Sequence, residues 1–315
     1  MITELSAEAK EFGQQALRAF EAAGGDELVQ RAEADPSTRD ALAGKVLAEL
    51  GAWELEPRSD ADSLEAAAAL CRSAGYWALP YPVAERLSRP TELEADGLLV
   101  VAANRPAAAI RGVDIRWSAV TLDGHRSEVT GLVGADPAFV AQLDLTPLDG
   151  PAADGRDDVA LALVLPCWTL LGMLDRALEL TIAHVQSRHQ FGQPLSGFQS
   201  VQFQLTDGEV ERAGLEMLAK YALWSVGAGR ADAVDDALAL RMAALEAAEV
   251  VFRVTHQLHG AVGFCDETTL SWLSRYSQPL RRLPFGLSAT RDVLSRRIGR
   301  DGLTGLFGAD QAVVS

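Results

Sequence analysis

Arg188-His189-Gln190-Phe191-Gly192-Gln193-Pro194-Leu195-Ser196-Gly197-Phe198-Gln199-Ser200-Val201-Gln202 joins two long helical patterns by a short loop, and its reading decides the fold. Upstream, Leu170, Met173, Leu174, Ala177, Leu178 and Ile182 recur at three- and four-residue spacing, which predicts a helix from about residue 160 buried along one face. Downstream, a second helix is expected from near Ser196 through Leu215, Leu218, Ala222 and Val226, with Gly227 and Gly229 as its stop. A third follows Arg230 and places Val234, Leu238, Met242, Leu245, Ala248 and Phe252 on one stripe. Two further segments, about Thr268 to Ser277 and Leu287 to Ile298, complete an antiparallel bundle.

The chemistry of the loop is that of a dinucleotide clamp. An arginine at a helix end can meet a phosphate, Phe191 can lie against an adenine or flavin, Gly192 lets the backbone turn and Pro194 starts a new element. Taken alone, the run equally describes an ordinary interhelical loop. A second run closes the third helix: His256-Gln257-Leu258-His259-Gly260-Ala261-Val262-Gly263-Phe264-Cys265-Asp266-Glu267. Gly260 and Gly263 would let backbone amides approach a pyrophosphate, and Gln257 offers both donor and acceptor to an adenine or ribose. Glu267 stands at the start of a helix, where a carboxylate also simply favours the helix dipole.

The rest of the chain reads as a helical part, then a small β part. Ser6 caps a segment carrying Phe12, Ala16, Leu17 and Phe20 that Gly24-Gly25 ends, and two more helices are expected from about Ser37 to Leu50 and from Ser63 to Cys71. The prolines of Gly75-Tyr76-Trp77-Ala78-Leu79-Pro80-Tyr81-Pro82-Val83-Ala84-Glu85 exclude a regular helix there, and its aromatics want cover. Between Pro90 and Asp158, Leu98 to Ala102, Ala109 to Trp117 and Val140 to Leu145 read as strands, with turns at Asp123-Gly124 and Gly134. The apolar stretch Val159 to Leu171 is broken by Pro166, so no window is expected to be long enough to span a bilayer. The fold class is mainly α with a small β region, divided into 1–90, 91–158 and 159–315.

Composition narrows the partners. The 315 residues carry 44 acidic against 28 basic side chains, a formal charge of −16, which opposes adhesion to nucleic acid or anionic lipid. An anionic ligand would need a local basic patch. The arginines at 275, 281, 282, 291, 296 and 297 could form one, or could be a solvated helix face. Cys71, Cys167 and Cys265 form neither a disulfide framework nor a zinc ladder, and the start Met-Ile-Thr-Glu-Leu-Ser-Ala-Glu lacks the form of a secretion signal, so a reducing cytoplasm fits.

The run 188–202 resembles the flavin-binding run of acyl-CoA dehydrogenases, and the run 256–267 resembles that family's Gln-x-x-Gly-Gly-x-Gly-Phe-x-x-Glu pattern, matched at Gln257, Gly260, Gly263, Phe264 and Glu267, with Ala261 in place of the second glycine. Arg275, and Pro284-Phe285-Gly286 followed by Arg291, extend the resemblance, which covers about residues 160 to 300. The Gly-x-x-x-x-Pro-x-Pro-x-x-Glu turn at 75–85 adds a weaker match. The resemblance implies an N-terminal helical domain, a truncated middle β-domain and a C-terminal antiparallel bundle. It implies FAD as cofactor, held by Arg188, Phe191, Gly192, Gln199, Gln257, Gly260, Ala261 and Gly263. It further implies an acyl-CoA thioester as substrate, contacted by Phe264 and Arg275, with Glu267 as the base that removes the α-proton.

The family's Thr-Glu-Pro and Gly-Ser-Asp patterns beside the flavin ring do not occur in the middle of this chain. The resemblance therefore points to a second, longer acyl-CoA dehydrogenase-like subunit in a heterotetramer, as in enzymes that oxidise CoA esters of steroid side chains, with an electron-transfer flavoprotein or similar acceptor. Two alternatives stay open. The chain could be a catalytically silent structural subunit, or His256 and His259, with Cys265 and Glu267 nearby, could hold a metal in a helical bundle. No metal is expected, because the Glu-x-x-His pairs of a di-iron bundle are missing. No Gly-x-Ser-x-Gly elbow supports a nucleophilic enzyme, and Cys265 has no neighbouring cation in sequence to activate it.

Overall fold

The computed structural model describes residues 4–133 and 139–299. The expected turn residue Gly134 lies outside them. Helix α1 (Ala7–Ala23) begins where its cap predicts: the Ser6 hydroxyl accepts from the Ala9 amide at 3.2 Å, and Gly24 closes the helix at φ 136°. A short helix α2 (Glu27–Ala34), not expected from sequence, buries Leu28, Val29 and Ala32. The helix expected over Ser37 to Leu50 is instead a 3₁₀ turn at Pro36–Thr38, a wide π turn at Asp40–Gly44 and a single-turn α3 (Lys45–Glu49). Helix α4 (Ala61–Tyr76) starts from the Asp60 cap and runs five residues beyond the expected end at Cys71. The proline-bounded turn then delivers a short α5 (Val83–Leu87).

Five strands form one sheet in the order β1-β3-β4-β5-β2, with β1 (Gly97–Val100) parallel to β3 (Trp117–Val120) and the other neighbours antiparallel. The strand expected over Ala109 to Trp117 is a correction: those residues connect the end of β2 (Ala107–Ala109) to β3 through a loop in which Gly112 adopts φ 82°. β4 (Arg126–Val133) pairs with β5 (Val140–Pro147), and the expected turn at Asp123-Gly124 joins β3 to β4 with Gly124 at φ 83°.

Helix α6 (Arg156–Ser187) is the axis of the molecule. Its 32 residues run straight through Pro166, against the break expected there. A proline inside a helix removes one backbone hydrogen bond and crowds the preceding turn. Here burial overrides that cost, since Val159 to Leu165, Trp168, Leu170 and Leu171 are all buried. By length and composition α6 could cross a membrane, which corrects the sequence expectation; yet 83% of its most apolar stretch is buried inside the protein. Helices α7 (Gln199–Gly227) and α8 (Ala233–His259) complete the long trio, followed by α9 (Thr269–Arg282) and α10 (Leu287–Ile298).

Two glycines let α4 and α6 touch backbone to backbone. A Cβ on Gly75 would lie 1.8 Å from the Thr169 carbonyl oxygen, and one on Gly172 would lie 1.8 Å from that of Arg72. At the start of α6, buried Asp158 receives Arg58 at 2.9 Å and Arg126 at 2.6 Å, and Arg126 also bonds Glu92. Arg58 also donates to the carbonyls of Ser88 and Arg89, so this cluster fastens the sheet to the helices on both sides.

The helix contact gives a first prediction. Gly172→Ala should cost about 3 kcal/mol, because the clash is with backbone that cannot swing aside. Denaturant titration would measure it, and a loss under about 0.5 kcal/mol, the scatter of neutral surface changes, would contradict the contact.

Candidate functional site

The loop that opened the sequence reading is a tight hairpin at the end of α6. Strands β6 (His189–Gln190) and β7 (Gln193–Pro194) pair across Phe191-Gly192, which both take positive φ, 53° and 82°, as the favoured two-residue hairpin turn requires. For Phe191 that backbone costs about 1–2 kcal/mol. Its side chain is also 92% exposed, the most exposed of the large apolar side chains among the described residues. A strained, solvent-facing aromatic gains little within this chain, where it meets the Phe198 ring edge-on at 6.3 Å.

Below the hairpin, Val185, Val201, Val254 and Leu258 form a small separate core with Leu195, Phe198, Leu205 and Val250. This core joins the end of α6, the start of α7 and the end of α8, so the two sequence runs meet at one end of the bundle. The His184 and His259 rings stack at 4.4 Å, and His256 stacks on Phe264 at 4.3 Å. Burial holds all three histidines below their ordinary range, and His259 Nδ1 donates to the Thr255 carbonyl at 2.9 Å. These histidines pack rather than gather around an ion. Among the described residues, no group of three or more His, Cys, Asp or Glu is placed to hold a metal.

Arg188, Phe191, Gly192, Gln199, Gln257, Gly260, Ala261, Phe264, Glu267 and Arg275 are exposed. Gly260 turns at φ 64° with open space around its missing Cβ, so its backbone is free to approach a ligand. Gly263 differs: it is buried, and a Cβ there would meet that of His259 at 2.9 Å, so this glycine serves packing. A groove of about 500 Å³ lined by Phe252, His256, Gln257, Gly260, Phe264 and Arg281 runs beside the second run. Glu267 makes no hydrogen bond or ion pair with any described residue. Its neighbour Asp266 pairs with Arg275 at 2.7 Å, and the Arg275 guanidinium stacks 3.8 Å over Trp272.

Two further spaces were not foreseen. A cleft of about 1020 Å³ opens between the β2 and β5 edge of the sheet and α9 and α10, and carries Arg105, Arg275, Arg282 and Arg296 against Glu33 and Asp292. The late arginines therefore divide. Arg275, Arg282 and Arg296 line this cleft, while Arg291 pairs with Glu246 and Arg297 bonds Asp235. Behind the cleft, and sharing Ala107, Phe139, Tyr276, Pro279 and Leu283 with it, lies an interior cavity of about 90 Å³.

Glu85 lines that cavity. It is half-buried, and desolvation pushes its carboxyl up from 4.5 to about 7. In the sequence Glu85 stands at the end of the proline turn with no motif that assigns it a role. The available signal was an acid closing an otherwise apolar, proline-bounded run.

The residues fit a flavin dinucleotide as part of a site. Arg188, Gln199, Gln257 and the open backbone at Gly192 and Gly260 offer charge and hydrogen bonds, and Phe191 and Phe264 offer flat faces, all on the outer surface.

Residues 164–292 match the model of the acyl-CoA dehydrogenase C-terminal domain. Over that stretch the chain is similar to the acyl-CoA dehydrogenase family. Acyl-CoA dehydrogenase FadE27 of Mycobacterium tuberculosis is 28% identical over 242 residues, covering 70% of this chain and 57% of that relative. The chain thus spans little more than half of that family member. In fold it is similar to the Tcur3481-Tcur3483 steroid ACAD, solved as a variant (TM-score 0.76, 22% identity, covering 94% of this chain and 98% of that one). It is similar also to the ChsE4-ChsE5 complex from Mycobacterium tuberculosis (TM-score 0.74, 17% identity, covering 95% and 99%).

The raised Glu85 carboxyl has a measurable consequence. Below its ordinary value of 4.5 the acid is neutral in folded and unfolded chains alike; between 4.5 and about 7 the unfolded chain loses its proton first, so stability falls as pH rises. Above about 7 the full penalty, at most about 3 kcal/mol, is present. Glu85→Gln should therefore match the parent near pH 4 and exceed it in denaturant stability at about pH 8. Equal stabilities at both pH values would show the carboxyl to be hydrated.

Proposed function

We propose that this chain is one subunit of a heteromeric, FAD-dependent acyl-CoA dehydrogenase that introduces an α,β double bond into an acyl-CoA thioester. The observation that carries the reading is the convergence of the two runs at one end of the bundle with their functional side chains turned outward. Phe191 is the clearest case: it is strained and exposed, with the Phe198 ring edge-on to it at 6.3 Å. A second, longer subunit that covers this end would bury Phe191 and Phe264 and supply the sheet that completes the flavin pocket. Two structures of similar fold carry paired names, one of them a complex, which supports a partnered arrangement.

Bound FAD would supply hydride acceptance, which no side chain can provide. Arg188, Gln199 and Gln257 would hold its phosphate and adenosine portions through charge and hydrogen bonds. Glu267 would take the α-proton of the thioester. A carboxylate does this well only when dried and aimed, with the carbonyl polarised, and Glu267 is exposed in the single chain. Covering by the partner is thus a condition of its activity. The arginine-lined cleft suits the anionic CoA portion, with electrons passing to an electron-transfer flavoprotein or similar acceptor. A steroid nucleus, if the ester carries one, must stay in this cleft, because four fused rings exceed the 90 Å³ interior cavity.

The exposure of Glu267 also favours a second reading, in which this chain holds the flavin and the partner carries the base. One substitution separates the two. Under the first reading, Glu267→Gln in the assembled complex retains the yellow cofactor and loses at least about a thousandfold in turnover, the scale of a lost general base. Full activity in that variant assigns the base to the partner.

Phe191→Ser should weaken subunit association at least tenfold in analytical ultracentrifugation while leaving the fold of the single chain intact, as expected of an exposed interface anchor whose intrachain ring contact is the edge-on one with Phe198. Unchanged association would place the partner elsewhere.

A further inference from the structure

The interior cavity lies where three parts of the chain meet: the proline turn and α5 at Pro82 and Glu85, the sheet at Val100 and Ala108, and the bundle at Pro166 and Leu280. At about 90 Å³ it has room for a few water-sized groups, or for a short stretch of acyl chain. Its wall is largely apolar, and its ionisable members are Glu85, Tyr81, Arg241 and Tyr276. Three of these are engaged elsewhere. Arg241 donates to the carbonyls of Leu280, Leu283 and Phe285 at 3.2, 2.6 and 2.9 Å. The Tyr81 hydroxyl donates to Asp40 and accepts from Arg86, and the Tyr276 hydroxyl meets Glu33 and Arg39.

Glu85 has no such partner, and on the same wall the Arg241 Nε and the Thr169 hydroxyl are also without a hydrogen bond. The favourable contact of Glu85 is with its own backbone amide, and no side chain among the described residues bonds it. On α4 the buried Cys71 thiol feels the Glu85 charge, and burial and that charge both push it up. A carboxyl at an enclosed apolar wall is costly unless something arrives to meet it. Glycine or leucine would have closed the same wall without that cost.

We propose that Glu85 is a specificity-determining residue: the cavity receives the far end of the substrate's acyl group, and the Glu85 carboxyl hydrogen-bonds an oxygen carried there. This rests on the acyl-CoA reading and extends it to the class of acyl group, a short chain ending in a ketone or hydroxyl oxygen. Cavity and cleft adjoin at the wall of Ala107, Phe139, Tyr276, Pro279 and Leu283, and a ligand that passed this wall would have its phosphates among Arg105, Arg282 and Arg296 and its acyl end at Glu85. Below its raised pKa the neutral acid donates to a ketone oxygen; the ionised acid cannot, because a carboxylate and a ketone both only accept.

Binding of S-alkyl-CoA thioethers tests this without requiring turnover, since they lack the thioester carbonyl that acidifies the α-proton. S-Pentyl-CoA and its counterpart with a ketone near the chain end are titrated calorimetrically into the full-length chain, alone and with its partner subunit. The ketone compound should bind about tenfold tighter below pH 7, the scale of one buried hydrogen bond, and lose that advantage above it. Glu85→Gln, whose amide donates at any pH, should keep the advantage throughout, and Glu85→Leu should abolish it. A parent protein without the preference, or a Leu variant that retains it, overturns the role of Glu85 alone. Failure of both thioethers to bind overturns the acyl-CoA reading and this inference with it.

Discussion

The backbone contact between α4 and α6 is the constraint on which the rest depends. Because Gly75 and Gly172 carry no Cβ, the two helices approach until side-chain-free backbone faces backbone, and α6 is locked at the centre with α7, α8, α9 and the sheet around it. Pro166 can then sit inside a continuous helix, since the surrounding burial outweighs one lost hydrogen bond. The Arg58, Arg126, Asp158 and Glu92 cluster fixes the near end of α6 to the sheet, and removing one member of such a buried set strands the others.

That frame sets the two ends of the proposed site. At one end of the long helices, the small core around Val185, Val201, Val254 and Leu258 holds the hairpin and the glycine-bearing turn together, so the groups proposed to meet a dinucleotide share one outer surface. On the sheet side, α9 and α10 lean against β2 and β5 and leave the arginine-lined cleft, which shares a wall with the interior cavity. The protein's net charge of −16 makes this local gathering of arginines the more telling, because an anionic ligand has few other places to go.

How much could be read from the sequence follows from which residues act locally. Helix α1 was legible because its cap is Ser6, its stop is Gly24 and its apolar spacing is regular. Helix α8 was legible for its single stripe, and the two runs for their motif spacing. Helix α6 was misread as broken because proline propensity is local while burial on every side is not. β4 gives little apolar alternation because its outward face is polar, and the loop 110–116 reads as strand because Ile110, Val113 and Ile115 interleave with polar residues while contacting the core. Glu267 was visible as a motif position, but its exposure was not. Glu85 was visible as a letter in a turn, while its environment comes from β1, α6 and α9, which no local pattern reveals.

The central claim is that one chain holds only part of a flavin pocket, and the visible absorption spectrum tests it most directly. The full-length chain purified alone should be colourless, while the same chain purified with its partner should carry FAD with its band near about 450 nm, as a protein-bound flavin must. A chain that retains stoichiometric FAD by itself would contradict the account, as would a colourless complex.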